Sequence, residues 1–190
     1  NYRFEPVDRS TIRYGLGAVK GTGEQAVNVI LKARESGGPF KDIFDFCQRC
    51  DKRMVNRRTT EALIKAGAFD SIDADRHKTL ASVGIAMEFA EQAERNAMQT
   101  SLFDMGTAAE EHAPQYIQVK PWGEKEQLMQ EKTALGFYLS GHPFTSYAKE
   151  FGSVLRTTLG RLAPPGRDEG NQTVLIGGVV AILFGDGAVR

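Results

Sequence analysis

The sequence predicts a mainly α protein with a short, incomplete β segment near its end. Short runs whose apolar residues recur at helical spacing dominate the first 140 residues, and glycine-bracketed or basic turns separate them. β-branched, strand-like sequence gathers only from Thr173 to Leu183, with Gly177-Gly178 as a bulge or bend.

The first unit is the turn Val19-Lys20-Gly21-Thr22-Gly23 followed by the amphipathic run Glu24 to Arg34. Glycine supplies positive φ in a tight turn and lets another group approach the backbone closely. Thr22 and Gln25 have capping-box spacing, which predicts a helix N-terminus at Thr22. Ala26, Val27, Ile30 and Leu31 then share one face, and Gly37-Gly38-Pro39 ends the run. Free N–H groups and the positive end of the dipole point outward with Lys20 beside them, an arrangement suited to a nucleic-acid phosphate. Lys20, Gly21, Thr22 and Gly23 are therefore candidate DNA-binding residues. The plainer alternative is a helical corner in which the glycines only make the turn.

A second, similar unit follows. Phe44-Asp45-Phe46-Cys47 sits in a short apolar helix, Asp51-Lys52-Arg53 makes a basic turn, and Asn56 opens a helix through Ala66. The pair reads as two tandem helix-hairpin-helix units. Arg57 and Arg58 face the positive end of the second dipole, an unfavourable placement that a bound anion relieves. Glu61 offers an alternative, since its i+4 and i+3 spacing to the arginines permits a solvated ion cluster. Lys52, Arg53, Arg57 and Arg58 together are the second set of candidate phosphate contacts.

Formal net charge is zero, but residues 1–70 hold thirteen Lys/Arg against nine Asp/Glu, and residues 71–131 hold five against eleven. A basic region followed by an acidic one suggests DNA contact first and a different partner next. No apolar stretch is long enough to span a bilayer and no charged-then-apolar leader opens the chain, so a cytoplasmic protein without membrane contact is expected. A start at Asn1 without Met, and an end just after a strand-like run, read as a piece of something longer.

Cys47 and Cys50 have C-x-x-C spacing, but a zinc site needs two more ligands, and His77, His112 and His142 are scattered. No metal site is expected; cysteines at i, i+3 on a helix read as reduced core residues. His142 has no nucleophile or acid spaced to partner it and reads as a helix-end histidine, so no catalytic residue is assigned.

Thr79 to Ala97 reads as one long helix with Leu80, Val83, Met87, Ala90 and Ala97 near a common stripe. It runs into Gln99-Thr100-Ser101-Leu102-Phe103, followed by a polar, acidic linker. Leu102 and Phe103 either staple the helix end to the core or wait for a partner's pocket. Gln99, Ser101, Leu102 and Phe103 resemble the short peptide, Gln-x-(Ser/Asp)-Leu-Phe, by which bacterial replication and repair proteins grip the ring-shaped β sliding clamp. A further helix is expected from about Glu124 to Tyr138 with Leu128, Met129, Leu135 and Leu139 inward. Gly141 is expected as its left-handed cap and Pro143 as its stop. Phe144 to Phe151 reads as one more short helix, and Ala163-Pro164-Pro165-Gly166 as a linker.

Several blocks in one order resemble the alpha subunit of bacterial DNA polymerase III. They are Tyr14 to Gly23, Gly38-Pro39-Phe40, Glu61 to Asp70 with its Ala-Gly-Ala-Phe-Asp stretch, and Glu131 to Pro143 with Leu-Gly-Phe-Tyr-Leu-Ser-Gly-His-Pro. The resemblance implies a tandem helix-hairpin-helix DNA-binding domain over 1–72 and a helix plus linker with the clamp-binding peptide over 73–120. A helical connector over 121–165 and partial strands of an oligonucleotide-binding (OB) barrel over 166–190 complete it. It also implies that other replicase subunits associate through the parent chain, that the protein is nucleoid-associated, and that Mg2+ belongs to a palm domain absent from this sequence. The end of the chain departs from the family: Ile182 to Gly187 does not continue as a basic β-hairpin.

Three functions follow as expectations. The first is a non-catalytic DNA- and clamp-binding portion of a processive replicative polymerase. The second is the equivalent module of a lesion-bypass or repair paralogue. The third is an independent enzyme built on Cys47/Cys50 or His142.

Overall fold

The computed structural model describes residues 1–103, 114–155, 157, 159–162 and 173–178, with backbone alone over 99–103. The chain divides into two compact units, Asn1–Leu139 and Ser140–Arg190.

The first unit opens with an antiparallel pair that the sequence reading did not anticipate. Strand β1 (Glu5–Pro6) pairs with β2 (Ile12–Arg13), Glu5 opposite Arg13 and Pro6 opposite Ile12. Asp8 holds the turn between them. Its carboxylate accepts the amides of Ser10 (2.7 Å) and Thr11 (2.8 Å) and the Ser10 hydroxyl, and these hydrogen bonds pull its pKa down to about 2.

Helix α1 (Glu24–Gly37) is capped by Gly23, not by Thr22. The expected capping box fails because Thr22 is turned inward, buried under the hairpin with its N–H on the Val19 carbonyl, so its hydroxyl does not reach over the first turn. The helix runs past Arg34 to Gly37. Helix α2 (Ile43–Arg49) is capped by the Asp42 carboxylate on the Asp45 amide. Helix α3 (Arg57–Lys65) is capped, as the sequence predicts, by Asn56 on the Thr59 amide at 3.0 Å. Arg49 joins the two hairpin units. Its guanidinium donates to the carbonyls of Ala33 and Gly38 at the end of α1, pairs with Asp45 and lies over the Phe40 ring.

The single helix expected over Thr79–Ala97 is two, α4 (Arg76–Ala81) and α5 (Val83–Phe103). The break falls at Ser82, which is fully buried. Its hydroxyl donates to the Lys78 carbonyl and accepts the Ile117 amide at 2.8 Å, pinning the segment that follows. Helix α5 lies along α2, with Phe44 edge-on to Phe89 and to Tyr116.

Helix α6 (Glu124–Leu135) is shorter than expected. It ends at Gly136, whose φ of 92° is left-handed, so the cap is Gly136 and not Gly141. Leu128 and Leu135 are buried as predicted. Met129 and Leu139 are not inward but 54% and 53% exposed: Met129 stands one residue off the buried row Leu128, Glu131, Leu135, and Leu139 lies past the helix end.

Glu131 is the unexpected member of that row. It is fully buried; one carboxylate oxygen accepts from Arg76 at 3.0 Å and the other from the Leu139 amide at 2.8 Å. Arg76, 8% exposed, also forks onto both Asp70 oxygens. These bonds hold its charge firmly, Asp70 most of all, and raise its pKa. The network ties α6 to α4 and to the loop after α3.

In the second unit, α7 (Thr145–Phe151) forms where expected, and His142 Nδ1 accepts the Phe144 amide at 3.1 Å. Residues 173–178 are described without strand structure; the rest of the expected strand, from 179, lies outside the described residues.

Glu131→Ala leaves Arg76 on Asp70 but takes the acceptor from one Arg76 N–H and from the Leu139 amide. It is therefore expected to lower unfolding free energy by about 1–3 kcal/mol, measured by urea denaturation, whereas exposed Met129→Ala stays within about 0.5 kcal/mol.

Candidate nucleic-acid interface

The two hairpins have different local chemistry. In the first, Val19 is buried as an anchor and the Lys20 amide donates to the Ala134 carbonyl of α6 at 2.8 Å. Gly21 has φ 82°, a left-handed conformation that favours glycine, and its carbonyl accepts the Thr59 hydroxyl of α3 at 3.3 Å. Two elements, α6 and α3, thus hold the turn. Gly23 caps α1 with open space beside it, and α1 has no side-chain cap. The amides of Gly21, Gly23, Glu24 and Gln25 have no partner among the described residues, and all four residues are exposed.

Arg58 comes to this same place from the second unit: a Cβ on Gly21 would lie 4.0 Å from its Nε. Lys20 runs beside the C-terminal turn of α6, where a Cβ on Gly136 would lie 3.4 Å from its Nζ. Neither cation has an ion-pair partner among the described residues. Open amides, a helix N-terminus and the exposed Arg58 meet at Gly21, with exposed Lys20 next to it in the chain, a setting suited to an anion. The sequence named Arg58 as a phosphate contact of the second hairpin; its place beside the first was not legible because it depends on α3 packing there. Buried Thr22 does not line this face; its hydroxyl has no partner among the described residues.

The second hairpin meets some of its amides from within, while those of Lys52, Asn56, Arg57 and Arg58 have no partner among the described residues. Asp51 takes the amides of Arg53, Met54 and Val55, and Asn56 takes those of Thr59 and Thr60. Lys52 Nζ lies 3.1 Å from Glu94 and 3.6 Å from Glu91 on α5, and Arg53 pairs with Asp51. Arg57 pairs with Glu61 at 2.8 Å, the compensation the sequence offered as an alternative. The eight predicted residues thus separate: Gly21, Gly23 and Arg58 stand together and open with Lys20 adjacent in the chain, Thr22 is buried, and Lys52, Arg53 and Arg57 have carboxylate partners.

Cys47 and Cys50 are free thiols beside the second hairpin. Burial, above all, pushes both up to about 12, so they stay protonated and poorly nucleophilic at neutral pH. Among the described residues no three His, Cys, Asp or Glu side chains are grouped to hold a metal ion, and no helix is long and apolar enough to cross a membrane. Gln99 to Phe103 occupy the last helical turns of α5.

Residues 1–79 match the helix-hairpin-helix motif family. The chain is 51% identical over 164 residues to the DNA polymerase III subunit alpha of Neisseria meningitidis serogroup B, covering 86% of this chain and 14% of that protein. It is 42% identical over 182 residues to that of Vibrio cholerae, 94% of this chain and 15% of the relative. To that of Escherichia coli K12 it is 40% identical over 152 residues, 78% and 13%. The chain spans about one seventh of the length of these curated relatives. Two hairpin units, the motif match and these identities agree: across the stretch it shares with them, the chain belongs to the DNA polymerase III alpha subunit family.

Proposed function

We propose that this chain is a non-catalytic portion of a processive replicative DNA polymerase. It holds duplex DNA through the phosphate backbone and tethers the enzyme to a sliding clamp. The observation that carries the DNA reading is the first hairpin, where four exposed amides without a partner among the described residues stand with Arg58 at Gly21 and with Lys20 adjacent in the chain. Amides and cations of this kind bind phosphate and read no base, so the grip follows the duplex wherever it slides. Buried Val19, Thr59 and Ala134 fix the turn in advance, so little order is lost on binding.

Nucleotidyl transfer and its Mg2+ ions belong, on this reading, to a palm domain elsewhere in the polymerase, and the whole works in the bacterial cytoplasm on the nucleoid with other replicase subunits. The clamp contact rests on Gln99, Ser101, Leu102 and Phe103 matching the clamp-binding pattern. Tethering by two modest contacts raises the effective concentration of enzyme at the primer end.

With about three phosphates neutralised, affinity for a short duplex is expected to fall roughly fifty-fold between 50 and 200 mM salt, equally for unrelated sequences. Lys20→Ala/Arg58→Ala should weaken binding about tenfold or more at low salt and flatten the log–log salt slope by about 1.8, read by fluorescence anisotropy. An unchanged slope would contradict the assignment. For the clamp, Leu102→Ala/Phe103→Ala should abolish binding to a purified bacterial clamp in calorimetry while leaving duplex affinity intact; equal loss of both would indicate misfolding.

A further inference from the structure

Lys52 sits at the tip of the second hairpin, where a tandem pair of DNA-holding units has a second phosphate contact to offer. It is held between two carboxylates one helical turn apart, Glu91 at 3.6 Å and Glu94 at 3.1 Å. Those carboxylates stand on α5, and α5 is fixed against α2 by Phe44 and Phe89 and by buried Val83 and Ala86. Their position opposite the hairpin is thus set by the core. The amides of Arg53, Met54, Val55, Thr59 and Thr60 are already on Asp51 and Asn56, so what this tip offers an anion is the Lys52 ammonium together with the open amides of Lys52 and Asn56.

We propose that Glu91 and Glu94 set the DNA footprint of this module by standing in for a phosphate at Lys52, so that the first hairpin carries the grip and the second is held in reserve. This rests on the DNA-holding reading above. Four charged side chains, counting Arg95 on Glu91 at 3.2 Å, are 41–73% exposed and make a weak cluster. It biases Lys52 without locking it, and DNA and α5 compete for the same cation.

The test uses the chain with a short labelled duplex in anisotropy titrations from 50 to 200 mM salt. Glu91→Gln/Glu94→Gln is expected to tighten binding about three- to tenfold at 50 mM and to steepen the log–log salt slope by about 0.9, one added phosphate contact. Adding Lys52→Ala to that variant should cancel both changes. No tightening, or tightening that survives Lys52→Ala, would overturn the proposal, the latter because it is then a general loss of negative charge. Binding by wild type that is indifferent to Lys20→Ala/Arg58→Ala would instead defeat the DNA-holding reading and this inference with it.

Discussion

The first hairpin depends on a contact far from it in sequence, the Lys20 amide on the Ala134 carbonyl, and that contact depends on where α6 lies. What places α6 is the buried pair of Arg76 and Glu131. Glu131 has no solvent, so its charge is tolerated only because Arg76 and the Leu139 amide meet both oxygens. Arg76 in turn is aimed by Asp70, in the loop that leaves α3. A chain of polar contacts therefore runs from the loop after α3 through α4 to α6 and back to the turn at Gly21. The hydrophobic core supplies most of the stability, but this network specifies which way the hairpin faces.

Such a device bears on why the two hairpins differ in local chemistry. The second hairpin is capped locally, by Asp51 and Asn56, and its cations find carboxylates on α3 and α5. The first lacks a side-chain cap because Thr22 is drawn into the core, which leaves its amides facing outward. Absence of a cap would be a defect in a helix with no ligand; at a phosphate site it is the condition for binding.

What was legible in the sequence was local. The Asn56 cap, α2, α7, the Arg57–Glu61 pair and the glycine turn follow from residues a few positions apart, and the structure has all of them. What escaped reading depended on distant partners. Ser82 breaks a helix because Ile117 claims its hydroxyl, α6 stops at Gly136 against Lys20, and Arg58 reaches the first hairpin only once α3 packs there. Capping-box spacing at Thr22 misled for the same reason, since burial of that side chain overrode its local preference.

The most direct test of the account is an amide chemical-shift titration of the isotope-labelled chain with a short duplex. The account predicts that the amides of Gly21, Gly23, Glu24 and Gln25 shift with saturation while those of Arg53, Met54 and Val55, which donate to Asp51, stay in place. Shifts concentrated at the second hairpin, or none at the first, would contradict it.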